Sequence, residues 1–159
     1  MRNGHSGEWP FFFIAGKVAV PASKEKRPMP LSKLLYVIAA VLSLLGAAAH
    51  EFVGAPMVLS PLEGSGLPTD IIWLHHFSWH VGTVAVMGMV ALFGFAVVHP
   101  AGRLLAALAS SMSAGFAALG IALAVFGDPV VWTTPAPYPW TLVAILGFLG
   151  VVLAPRAKD

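Results

Sequence analysis

Three histidines, two tryptophans and a serine crowd the stretch Trp73-Leu74-His75-His76-Phe77-Ser78-Trp79-His80, at the head of an apolar run that reaches Val98. A second polar pair, His50-Glu51, closes the apolar run before it. Hydrophobic segments carry such groups where water, a partner or a ligand receives them. His76 and His80 are four residues apart, so on a helix they share a face. If His50 lies at the depth of His80 on an antiparallel neighbour, then His50, His76 and His80 form a candidate metal site. Glu51 is its fourth ligand or the acceptor behind one. Three imidazoles and a carboxylate suit zinc or copper, and Met57 offers copper a thioether. Haem b is a further candidate, because two histidines at equal depth on neighbouring helices can ligate iron from both sides.

The same residues have a plainer use. Histidine, tryptophan and serine at a helix end are ordinary at a membrane–water interface, where headgroups and water wet them. An i, i+4 histidine pair in a chain with six histidines is also far less specific than an HExxH pair. A third use is a pocket for a quinone-like molecule or lipid headgroup, with histidine as donor and tryptophan as a stacking wall. Glu51 and Asp70 are the bases within reach of any catalysis, yet nothing singles out a substrate. The chain has no Gly-rich phosphate loop, GxSxG elbow or HExxH pair, so no catalytic constellation points to an enzyme.

What must position these residues follows from composition. Of 159 residues, 58% are hydrophobic and 10% charged, with a mean hydropathy of +0.83. A soluble domain carries roughly 25% charged residues, so the class is integral membrane. Without cysteine there are no disulfides, iron–sulfur clusters, thiolate metal sites or c-type haem. The expected fold is all-α: a four-helix antiparallel transmembrane bundle. Its spans cover about 31–50, 71–98, 103–126 and 138–154, each near the roughly 20 residues that cross a hydrocarbon core. Thr69 is expected to cap the second span, with Asp70 in its first turn, and Pro139 suits the first turn of the fourth.

All nine basic residues lie in the N-terminal segment (Arg2 to Lys33), at Arg103, or in the tail at Arg156 and Lys158. The 51–70 and 127–137 connections have none and hold Glu51, Glu63, Asp70 and Asp128. The positive-inside rule makes both termini and the 99–102 turn cytoplasmic, in what reads as a bacterial inner membrane. Trp73, Trp79, Trp132, Tyr138 and Trp140 then form an outer aromatic belt. His99 snorkels to the inner interface. The cluster Lys24, Lys26, Arg27 and Lys33 reads as a topology determinant rather than a lipid-specific site.

Residues 1–30, with His5, read as a cytoplasmic segment that is disordered or precedes a start at Met29; 155–159 is a cytoplasmic tail. The third span is rich in small residues, with Ser110, Ala114 and Ala118 in one row and Ser111 and Gly115 in another. It is expected to be the buried centre of the bundle or the seam of a homo-oligomer or larger membrane complex. The 51–70 stretch is expected to be an irregular lid, with Phe52, Val53, Met57, Val58, Leu59 and Leu62 folded over the histidines. Besides the lipid bilayer, partners are membrane subunits; nothing suggests nucleic acid. No charge lies at mid-membrane, which argues against a transporter or channel. The functional expectation is an accessory or structural membrane subunit, or else the holder of an outward-facing histidine site.

Overall fold

The structure, a computed structural model, describes residues 28–155, so the expectations for the N-terminal segment up to residue 27 and for the tail from 156 lie outside the described residues. Among the described residues there are helices and no strands. Helix α1 (Leu31–Ala49) passes through a π turn (His50–Gly54) into α2 (Ala55–Glu63), making one continuous rod. Then come α3 (Thr69–Val98), α4 (Gly102–Ala122) with a π turn at Leu123–Gly127, a 3-10 turn (Pro129–Thr133) and α5 (Tyr138–Leu153). Three rods are long and apolar enough to cross a membrane: Leu31–Glu63, Thr69–Val98 and Gly102–Gly127. Helix α5 is apolar but shorter, about 24 Å at 1.5 Å per residue.

Proline sets most of the boundaries. His99 and Ala154 are extended because each precedes a proline, which disfavours the helical conformation, and α3 and α5 end there. Pro139 lies in the first turn of α5. Two expectations fail. The cap of α3 is Pro68, with Thr69 the first helical residue and no side-chain capping bond. The 51–70 stretch is no irregular lid: it continues the helix to Glu63, with a connection only from 64 to 68. Pro56 has no N–H to give and its ring crowds the carbonyl four residues earlier. The chain answers by widening into the π turn, where Ala55 donates to the carbonyl of His50. Of the residues expected in the lid, only Leu59 is buried; Phe52 is 82% exposed and Met57 is also open.

Helix α1 packs on α3 and α5, and α4 packs on the same two. The third long rod is therefore one wall among four, not a centre. Its packed stripe is Gly102, Ala106, Ala109, Ser110, Ser113, Ala117 and Gly120, whereas Ser111 and Gly115 face outward. Small residues permit this close approach. A methyl group on Gly147 would meet Ser110 and Phe93, and one on Gly150 would meet Tyr36. Phe93 and Met89 fill the middle at 0% exposure. The buried hydroxyls of Ser43, Ser110 and Ser113 donate to the carbonyls four residues before them, at 2.8, 2.7 and 3.0 Å. Large side chains point the other way: Phe126 is 87% exposed, and Val84, Phe95, Leu104, Ile145 and Val152 are all open.

Candidate functional site

The C-terminal half of the first rod and the N-terminal turns of α3 carry the polar cluster. Gly46 lies against Trp140 and Gly120 against Pro137, so α5 begins near the level of Gly46. Beyond that level the α1–α2 rod continues for seventeen more residues to Glu63, about 26 Å. It forms a helical hairpin with the first turns of α3.

At the base of the hairpin, the His50 ring stacks on Trp79 with centroids 3.9 Å apart and planes 7° from parallel. Its Nε2 lies 3.2 Å from the Trp79 carbonyl. A carbonyl only accepts, so Nε2 carries the proton and donates. Gly54 makes the stack possible, because a methyl group there would come within 2.9 Å of the Trp79 ring. The Trp79 indole nitrogen is buried without a hydrogen-bond partner.

One residue along, Glu51 reaches α3 instead. The Thr83 hydroxyl donates to Glu51 Oε1, and His80 Nδ1 donates to the same oxygen at 3.2 Å. Higher up, His76 Nε2 faces Glu63 Oε1 at 3.6 Å and its ring tilts against Trp73 at 5.1 Å. His75 is exposed and donates through Nδ1 to the Ile71 carbonyl of its own helix at 2.8 Å. Asp70 is exposed in the first turn of α3. Each histidine–carboxylate contact becomes an ion pair only when the imidazole is protonated. Where protonated, His80 and His76 bind Glu51 and Glu63 across the hairpin.

The four candidate ligands are thus divided. Glu51 and His80 are together; His50 is engaged by Trp79; His76 is paired with Glu63. The His76 and His80 rings are 6.5 Å apart. Among the described residues no three histidine, aspartate or glutamate side chains gather closely enough to hold a metal ion. For haem b the fit is poor: the Trp79 indole covers one face of His50, and Nε2 is spent on a carbonyl. That stack also fills the place where tryptophan would wall a quinone-like molecule.

Three participants escaped the sequence reading. Trp79 was expected in the aromatic belt, yet it stacks on His50 of the first rod. Glu63 and Thr83 were not assigned to the cluster at all. The missed signal is helical periodicity through 55–63, where Pro56 and Pro61 suggest a loop and only the π turn reconciles proline with helix. Compared with known proteins, the chain matches no family model, no curated protein and no solved structure.

Proposed function

We propose that the chain is a four-span antiparallel membrane protein serving as an accessory or structural membrane subunit, with its hairpin projecting from the outer face. The observation that carries this reading is the inverted packing: alanine, glycine and serine line the contacts between helices while large aliphatic and aromatic side chains face outward. In water so large an apolar surface would drive association; in hydrocarbon it is matched to its solvent. Contacts of Tyr36 with Gly150 and Gly46 with Trp140 pair α1 with α5 in opposite directions. The short 99–101 and 64–68 connections support the same alternation.

The orientation rests on charge. Arg103 sits at the inner turn, and no lysine or arginine lies between residues 34 and 102 or between 104 and 155. The subunit reading draws on the hairpin, where Phe52, Met57, Trp73 and Phe77 stand exposed beside paired polar groups. Such a surface suits another membrane subunit. Because the chain lacks cysteine, single-cysteine labelling gives a clean test. Cysteine at Ser65 or Thr134 is expected to react with a membrane-impermeant maleimide in intact cells, and cysteine at Ala101 only after permeabilisation. Labelling of position 101 in intact cells would overturn the orientation; equal labelling everywhere would overturn the span assignment.

A second reading, a zinc or copper site, has the existing Glu51–His80 contact and the adjacent His76–Glu63 pair in its favour. It requires the two rings to turn toward a common point. On this reading the purified protein carries near-stoichiometric metal that is lost in His80→Ala. Metal-free protein from cells supplied with both ions would leave the histidines as interfacial residues.

A further inference from the structure

We propose that the outward side of the α4–α5 seam binds an anionic phospholipid of the cytoplasmic leaflet, its phosphate on Arg103 and one acyl chain along the seam. The proposal rests on the membrane reading and orientation given above. Two grooves lie along this seam. One, at the inner end, is lined by Arg103, Ala107 and Val151; the other continues outward past Ala114, Ala118, Ile145 and Phe148. Ala107 and Ala114 are seven residues apart, two helical turns, so both grooves follow the same side of α4. Among the described residues the lining is almost wholly apolar, with one cation, Arg103, at one end.

Arg103 is held in place for this task. Its Nε donates to the Val151 carbonyl at 3.2 Å, satisfying one of the carbonyls left open at the C-terminus of α5. Among the described residues this is the only acceptor its side chain has, which leaves the two terminal amino groups to meet a phosphate in bidentate fashion. From Arg103 to Ala114 is about 16 Å of helix, close to half of a roughly 30 Å hydrocarbon core. The stretch from Arg103 to the start of the outward groove is therefore about one leaflet long, with its charge at headgroup level, and the outward groove carries on to Ile121. A second copy of the chain could cover the alanines, but it would have no use for the cation. Basic residues between helices on the cytoplasmic side are a known form of anionic-lipid recognition.

The test is native mass spectrometry of the detergent-purified full chain, titrated with phosphatidylglycerol or phosphatidylethanolamine. Wild type is expected to retain the anionic lipid about fivefold more strongly. Arg103→Gln should abolish that preference and Arg103→Lys should keep most of it. Ala114→Phe, which fills the trough, should lower retention of both lipids; circular dichroism verifies that each variant remains helical. Equal retention of the two lipids by wild type, or a preference that survives Arg103→Gln, overturns the proposal. So does a dimer that Ala114→Phe converts to monomer without any lipid preference, which would assign the seam to a second copy. Cysteine labelling at Ala101 separates the two layers. Correct topology without lipid preference defeats the lipid site alone, whereas an external Ala101 defeats the orientation beneath it.

Discussion

Thr83 shows most directly how little of the polar cluster is decided by histidine. Its hydroxyl and the His80 imidazole converge on one oxygen of Glu51, a carboxylate still one-quarter exposed (25%) at the edge of the hairpin base. Thr83→Val keeps the shape and removes the donor, leaving Glu51 with only a half-exposed imidazole. The expected cost is about 1 kcal/mol of folding free energy, read by reversible unfolding in mixed micelles. His80→Asn should cost less, because that side chain is 54% exposed and water replaces much of what is lost. A Thr83→Val protein as stable as wild type would show that the contact contributes nothing. Residue types alone suggested a convergent metal site. The structure keeps only Glu51 and His80 together and gives His50 to Trp79 and His76 to Glu63, because the π turn sets which residues of the first rod face α3.

At the scale of elements, the governing quantity is how closely two helix backbones may approach. Gly147 sits where α5 meets Ser110 and Phe93, while Gly88 on α3 has open space where a side chain would go. Gly147→Leu should therefore destabilise by roughly 1–3 kcal/mol through overpacking, and Gly88→Leu should be neutral or mildly stabilising through helix propensity. Thermal unfolding in detergent distinguishes them; equal shifts would mean that α5 does not pack on α3 and α4 as described. The glycines at 82, 88 and 94 recur every six residues and do not share a helix face, so their spacing is weak packing evidence. The decisive ones, Gly147 and Gly150, lie in the short fourth helix, which held no small-residue row long enough to notice. The first rod teaches the converse. Pro56 and Pro61 look like helix breakers, yet the π turn carries the helix past Pro56 and α2 keeps Pro61 within it.

For the whole molecule, the arrangement of apolar surface outweighs any single contact. Each rod is apolar around most of its circumference, so hydropathy finds the rods without saying which side packs. That choice is made by size: small residues admit a neighbouring backbone, and large ones face outward. The labelling pattern expected of Ser65, Ala101 and Thr134 belongs to this scale, since it depends on all four rods alternating in direction and not on any one contact. What sequence determines here is the apolar character of the rods, the approximate limits of α3, α4 and α5, and where the basic residues fall along the chain. These follow from composition and local period, which each segment carries by itself. Tertiary structure alone decides that α2 prolongs α1, that α4 is a wall and not a centre, and that His50, His76 and His80 part company. Those outcomes depend on the rotation of one helix against another, and a π turn of one extra residue changes that rotation by roughly 100° with hardly a trace in the apolar pattern.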